Sequence, residues 1–361
     1  MRTSRLIKAD TSLSFVYSLV KSLTRLAPVS NHQIREVYVL KFFGLGSIIR
    51  IDHVIQNLSE SPLPYKLITF DKNKEICSEL GIDAVFVRSG PAFVWDTFAL
   101  IGHVWKKKGV RVVDFERSSN LVGVLREILS IGKPQVSCSF TDSRSDGKRQ
   151  VIHIKGMPAV EVISRAFSGE YKADVAPRIN QSDAILININ SGDYITERRF
   201  PLQKFARVIA QIHDRYPSLK LYLTGAPSER DFVESFISEF DLADMQVHNV
   251  AGVWSLTRLM DEMKKARFVL TNDSSPLHLA NYLRVPCVVL WGPTSPELVG
   301  YPDSGRMLNI YAAMDCSPCF EHPKSKVALA CQGKLDCFEK LNDMEVSENI
   351  VSFIKKLEDN S

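Results

Sequence analysis

The sequence lacks any uninterrupted apolar run of the roughly 18 residues that a membrane-spanning helix needs, so no spanning segment is expected along its 361 residues. It lacks a signal peptide pattern. The first apolar stretch is broken by Ser18 and Lys21, and no small-residue cleavage site follows. It lacks a charge excess in its body. The formal net charge is +4, and Arg2, Arg5, Lys8, Lys21 and Arg25 against Asp10 account for all of it. The rest of the chain balances, which argues against a nucleic-acid partner. Internal repeats and low-complexity tracts are missing too. These absences point to an intracellular, cytoplasmic protein without a spanning anchor.

Apolar residues make up 45% of the chain, and its length suits two domains rather than one core. The basic N-terminal stretch, residues 1–30, reads as an appendage. Leu13, Val16, Tyr17, Val20 and Leu23 fall on one side of a helix, with Ser14, Ser18, Lys21, Ser22 and Arg25 on the other. Two readings stand: a helix packed on its own domain, or peripheral contact of residues 12–26 with the inner face of an anionic membrane.

From Val37 onward strands alternate with helices, which implies an α/β protein with mostly parallel sheets covered on both faces. The pattern predicts a first domain over 31–170, with strands at Val37–Leu40, Lys66–Phe70, Ala84–Val87 and Val110–Phe115 and helices at Asn73–Leu80 and Asp96–Lys107. Thr141–Gln150 is polar and reads as a surface loop. A linker is placed at 171–182, where large apolar side chains are few. A second domain over 183–340 has strands at Ala184–Ile189, Leu219–Thr224, Phe268–Thr271 and Cys287–Trp291. A last helix, near Ser347–Leu357, lies in a terminal segment spanning 341–361. Ligands of such sheets bind beyond the carboxyl ends of the strands, so motifs there carry the chemistry.

The most informative motif is Phe268-Val-Leu-Thr-Asn-Asp-Ser-Ser-Pro-Leu-His278. A buried strand ends in small polar residues, with Ser275 read as helix cap and Pro276 as first helical residue. A helix N-terminus of this kind offers free N–H groups and a positive dipole end to a diphosphate. The neighbouring strand runs into Gly292-Pro-Thr294, a second small-residue loop on the same edge. A capped helix with no ligand would show the first motif alone. A nicotinamide dinucleotide site is disfavoured, because Gly44-Leu-Gly46 is followed by Ile49 where the fingerprint needs a third glycine.

Asn272-Asp-Ser-Ser-Pro-Leu-His278, then Val285-Pro and Leu290-Trp-Gly-Pro-Thr294, resemble glycosyltransferase family nine, whose best-known members are ADP-heptose:lipopolysaccharide heptosyltransferases. Leu45-Gly46, Arg198-Arg-Phe-Pro201 and Gly225-Ala-Pro-Ser-Glu229 extend the resemblance. It implies a GT-B architecture, two Rossmann-like domains facing across a cleft. It implies inverting transfer from a nucleotide-diphospho-sugar to a lipopolysaccharide or other surface-glycan acceptor, with no cofactor for catalysis. Donor contacts are implied for Asp273, Ser274, Ser275, His278, Glu229, Gly292 and Thr294, and a cationic role at the leaving diphosphate for Arg198.

The chain departs from the family at Ser47, where an aspartate serves as general base, and at Ser275, commonly glycine there. A serine hydroxyl is a weak base near neutral pH. Glu116 and Asp114, at the end of a strand, are the first candidates to replace the aspartate. Asp52 and His53 are the alternatives, and a non-catalytic scaffold that binds a nucleotide sugar or a partner is the remaining reading.

Of the seven cysteines, Cys77, Cys138 and Cys287 read as core residues. Cys316, Cys319, Cys331 and Cys337 cluster with a spacing that favours a structural zinc or iron over disulfides in a cytosolic protein.

Overall fold

The computed structural model describes residues 14–24, 27, 29, 32–60, 62–116, 119–139, 149–153, 156–172, 182–192, 196–301, 305–319 and 334–359. The chain divides into two compact units, Met1–Lys172 and Ala173–Ser361.

The first unit holds six parallel strands: β1 (Glu36–Leu40), β2 (Tyr65–Phe70), β3 (Ala84–Val87), β4 (Val110–Asp114), β5 (Gln135–Ser139) and β6 (Arg149–His153). They lie in the order β3-β2-β1-β4-β5-β6. β1 and β4 are therefore neighbours, with Leu40 beside Asp114, and the winding reverses between them. β1 is a run of β-branched and large apolar residues that is buried along nearly its whole length, as a strand covered on both faces requires. The helices are α1 (Ser14–Thr24), α2 (Leu45–Gln56), α3 (Lys74–Glu79), α4 (Ala92–Lys106), α5 (Asn120–Leu129) and α6 (Ala159–Phe167). Gly44 enters α2 at φ +84°, a conformation that side-chain-bearing residues seldom adopt. Leu100 and Val104 of α4 and Val122, Leu125 and Leu129 of α5 share one cluster with Tyr38, Leu40, Ile68 and Val112 of the sheet.

Three expectations change here. β6 begins at Arg149, inside the stretch read as a loop, and residues 140–148 lie outside the described residues. Cys138 is half-buried rather than a core residue, whereas Cys77 is buried and its thiol is pushed up to about 11 by desolvation. The apolar side assigned to the N-terminal helix is split. Tyr17 and Thr24 face inward: Arg126 donates to the Tyr17 hydroxyl at 2.7 Å, and the Thr24 hydroxyl donates to Glu127 at 2.9 Å. Gly123 of α5 has no room for a Cβ because the Tyr17 ring lies on it. Val16 and Leu23 are left exposed with Phe15 and Leu19. Polar tips that satisfy buried charges on α5 thus set the rotation of α1, not its hydrophobic pattern.

The second unit repeats the winding with β7 (Ala184–Asn188), β8 (Lys220–Leu223), β9 (Val247–Asn249), β10 (Phe268–Asn272), β11 (Cys287–Trp291) and β12 (Met307–Tyr311). All six are parallel in the order β12-β11-β10-β7-β8-β9. Here β7 and β10 are adjacent, with Thr271 beside Asn188. The helices are α7 (Leu202–Arg215), α8 (Arg230–Glu239), α9 (Leu256–Lys265), α10 (Ser275–Tyr282), α11 (Pro296–Val299), α12 (Asp336–Glu339) and α13 (Asp343–Asp359). Helix α13 starts four residues before the periodicity suggests, because the Asn342 side chain accepts from the N–H of Met344 at 2.9 Å and caps it. Val346, Ile350, Phe353, Ile354 and Leu357 bury that helix in the second unit's core.

Candidate functional sites at the two sheet switch points

In the second unit the loops after β7 and β10 meet where the winding reverses, the position at which open parallel sheets hold ligands. Asn272 ties them together. Its side-chain oxygen accepts from the Phe200 N–H at 3.0 Å, and its amide donates to the Asn190 carbonyl at 3.2 Å. The next residue, Asp273, is buried and accepts from Arg198 at 3.2 Å, while the second guanidinium nitrogen donates to the Ser191 carbonyl at 3.2 Å. Two residues 75 positions apart in sequence, Arg198 and Asp273, are thus an ion pair. The Arg198 Nε is buried with no partner, as are Asn190 Oδ1 and Thr294 Oγ1. Unmet buried polar atoms carry a cost that a bound polar ligand removes.

Helix α10 begins one residue earlier than expected. Ser274, not Ser275, is the cap, and Pro276 is the second helical residue. The Ser274 hydroxyl pairs instead with Thr271 Oγ1 at 3.0 Å, so it accepts none of the first-turn N–H groups of α10. Pro276 has no N–H and the Leu277 N–H already donates to the Ser274 carbonyl at 3.2 Å, so this end of the helix offers a ligand its dipole and the Ser275 N–H. His278, in the same helix, is buried with Nδ1 at 3.0 Å from the Tyr301 hydroxyl.

Glu229 serves its own turn. Its carboxylate accepts from the Ala226 N–H at 2.7 Å and closes the short helical turn Pro227–Glu229. Its Oε2 would stand 3.2 Å from a Cβ at Gly225, and the Asn190 amide 2.9 Å from it, so Gly225 brings the two loops close. A Cβ at Gly292 would sit closer to the Phe338 ring than Cβ atoms sit to any neighbour. The segment that follows β12 is fastened to the same loop. Ser317 Oγ donates to the Gly292 carbonyl at 2.9 Å, and the Cys319 N–H donates to the Pro293 carbonyl at 3.0 Å. Lys204 of α7 binds three carbonyls at the end of α12, those of Phe338, Glu339 and Leu341.

Cys316 and Cys319 are half-buried and Cys337 is buried. Cys331 lies outside the described residues. Among the described residues no group of three His, Cys, Asp or Glu is arranged to hold a metal ion. Cys319 and Cys337 both act electrostatically on Tyr311, whose hydroxyl pKa is raised chiefly by burial.

The first unit has its own constellation where β1 and β4 end. Glu116 accepts from Lys41 at 3.0 Å and from the N–H groups of Phe42 and Phe43 at 3.1 and 3.2 Å. Its own N–H donates to Asp114 at 2.8 Å. Asp114 is fully enclosed, and burial pushes its pKa up to about 6 against the pull of Arg126, which pairs with it at 3.0 Å. Arg126 also pairs with the buried Glu127 at 2.8 Å. Asp114 is thus enclosed and ion-paired, with a side chain 3% exposed against 9% for Glu116.

The alternatives Asp52 and His53 do not reach this edge. Asp52 is buried and accepts from the Tyr65 hydroxyl at 2.5 Å, and His53 is buried with Nε2 at 3.1 Å from the Tyr171 hydroxyl. Lys41, Arg126 and Asn190 escaped the sequence reading, and Asn272 was named in its motif without the tie between loops that it makes. Asn190-Ser191-Gly192 after an apolar strand was the available signal for one of them.

Residues 153–329 match the family model for glycosyltransferase family 9 (heptosyltransferase). The chain is 29% identical over 111 residues to lipopolysaccharide heptosyltransferase 1 of Campylobacter coli, a stretch covering 30% of this chain and only 32% of that relative. Its fold is that of E. coli ADP-heptose lipopolysaccharide heptosyltransferase II, with a TM-score of 0.66 at 14% identity over 90% of this chain and 99% of the other. The family 9 glycosyltransferase of Veillonella parvula superposes equally well, with a TM-score of 0.66 at 16% identity over 91% and 99% of the two chains. No helix among the described residues is long and apolar enough to cross a membrane.

Proposed function

We propose that this chain transfers a heptose-like sugar, with inversion, from a nucleotide-diphospho-sugar to a lipopolysaccharide or related glycolipid acceptor at the cytoplasmic face of the membrane. The observation that carries the reading is the Arg198–Asp273 pair beside the N-terminus of α10. A cation, a helix dipole end and unmet polar atoms on one sheet edge suit a diphosphate whose charge grows as the sugar leaves. The relatives' names supply the sugar class. In this reading Asp273, Ser274, Ser275, His278, Glu229, Gly292 and Thr294 form the donor site, and Arg198 stabilises the leaving group. Glu116 takes the acceptor proton in place of the aspartate that Ser47 replaces, with Asp114 holding the Glu116 backbone. No cofactor takes part in catalysis.

A panel of nucleotide sugars tested by thermal shift checks the donor site. The true donor raises Tm by mass action. Asp273→Ala and His278→Ala fold but lose most of that shift. Unchanged shifts in both variants would remove the site.

A scaffold that binds donor without turnover is the second reading. Ser47 favours it, as do the three donors already bound to Glu116. Detecting transfer or donor hydrolysis rejects it.

Cys316, Cys319, Cys331 and Cys337 are proposed to hold a structural zinc or iron, on the strength of their spacing. Elemental analysis of freshly reduced protein is expected to find about one ion per chain. Finding neither metal refutes the assignment.

A further inference from the structure

Helices α4 and α5 pack on the same face of the first unit's sheet, and α1 lies against α5 through Tyr17 and Thr24. On the far flank of α5 the Trp105 indole donates to the Ile128 carbonyl at 2.8 Å and joins α4 to it. The outward sides of these helices are unusually apolar. On α4, Trp95 is 75% exposed and Phe98 63%, with Trp105 further along the same side. These positions, spaced i, i+3 and i+10, fall on one stripe about 15 Å long. On α1, Phe15 is 76% exposed, and Leu19 and Leu23 continue its stripe. Isolated exposed apolar residues need no account, but large aromatic ones lined up along one helix do.

The charges on these helices are one-sided. Helix α1 contains no acidic residue. The one carboxylate of α4, Asp96, is held by Arg88 at 2.7 Å. The one carboxylate of α5, Glu127, is buried against Arg126. Lys106 and Lys108, at the end of α4, are exposed. The layer therefore presents tryptophan, phenylalanine and leucine with lysine, and no exposed unpaired carboxylate. A bilayer with anionic headgroups suits that pattern, and tryptophan settles at its interface.

The stripe on α4 also begins at a meaningful place. Its first turn follows the carboxyl end of β3, the same sheet edge at which Glu116 stands. Phe93 is 6.3 Å from Phe70, which lies 5.4 Å from Phe43 in the loop after β1. The aromatic surface thus runs from the edge of the acceptor-side constellation outward along α4.

We propose that the outward face of α4 forms a docking surface for an anionic bilayer, with Trp95 and Phe98 as its aromatic anchors. This extends the membrane contact from the N-terminal helix to α4 and rests on the acceptor being a glycolipid. The docking surface places the first unit's candidate edge at the headgroup level, where the sugar end of such an acceptor stands.

The test uses the full chain in flotation with phosphatidylcholine vesicles and with vesicles that also contain phosphatidylglycerol. The wild type is expected to float only with the anionic vesicles, with a blue shift of tryptophan emission. Trp95→Ser with Phe98→Ser is expected to weaken that binding by about tenfold or more, given the apolar area withdrawn. Lys106→Glu with Lys108→Glu weakens it chiefly at low salt. Both variants keep the donor-induced rise in Tm and the transfer rate to a short water-soluble acceptor. Vesicle binding that is absent in the wild type, or unchanged in the Trp95/Phe98 variant, overturns the proposal. So does a wild-type dimer, seen by sedimentation, that the same variant dissociates. Loss of the donor response in the wild type with vesicle binding intact strikes the proposed function and leaves the docking surface standing.

Discussion

Glu116→Gln is expected to lower turnover by about 10²–10⁴, a barrier increase of about 3–5 kcal/mol, with little change in donor affinity. The carboxylate stands at the end of β4, within hydrogen-bond distance of Lys41 and of two backbone N–H groups of the loop that leads to Ser47. Glutamine keeps the size and one acceptor oxygen but cannot take a proton. A loss confined to kcat therefore identifies a group used in the transition state. Ser47→Ala is expected to leave transfer largely intact. Asp114→Asn is expected to fall well short of the Glu116 effect, because Asp114 is enclosed and ion-paired with Arg126 and still offers an oxygen to the Glu116 N–H after the change. The measurement is steady-state transfer with donor saturating, together with donor affinity for each variant. If Ser47→Ala abolishes transfer while Glu116→Gln behaves as wild type, the base is not a carboxylate of this edge.

Arg198→Ala is expected to lower turnover by about 10²–10³, the effect of removing one preorganised charge from a developing anion. Arg198 is held in place before any ligand arrives, by Asp273 on one side and the Ser191 carbonyl on the other. Preorganisation is the point of that arrangement, since little reorganisation is left for the reaction itself. Lysine in its place restores the charge but not the two-sided geometry, so Arg198→Lys recovers only part of the rate. Single-turnover kinetics with bound donor separate this from a loss of donor affinity. A variant that loses affinity but keeps its single-turnover rate would make Arg198 a binding residue alone.

Much of this arrangement was legible in the amino-acid order, for identifiable reasons. Val37–Leu40 and Cys287–Trp291 are continuous β-favouring apolar runs bounded by glycine turns, and strands buried on both faces have that signature. The Asn272–His278 motif was readable because small residues, a proline and a helix cap follow one another with fixed spacing. What stayed hidden depends on long-range pairing. Nothing local shows that Arg198 meets Asp273, or that Arg126 encloses Asp114 while leaving Glu116 at the edge. The rotation of α1 was missed for the same reason, because Tyr17 and Thr24 answer charges more than a hundred residues away. The cap of α10 moved by one residue because Ser274 is the last extended residue, held by Thr271, and Ser275 is already helical.

Gly292 invites one more conclusion. A glycine in a ligand loop is commonly taken as room left for the ligand, yet at this position the room is filled from behind by the Phe338 ring. That ring belongs to the core shared by α7 and α13. A side chain at position 292 would therefore displace Phe338 from the core whether or not the protein turns over sugar, so Gly292→Ala is a change in folding before it is a change in the donor loop.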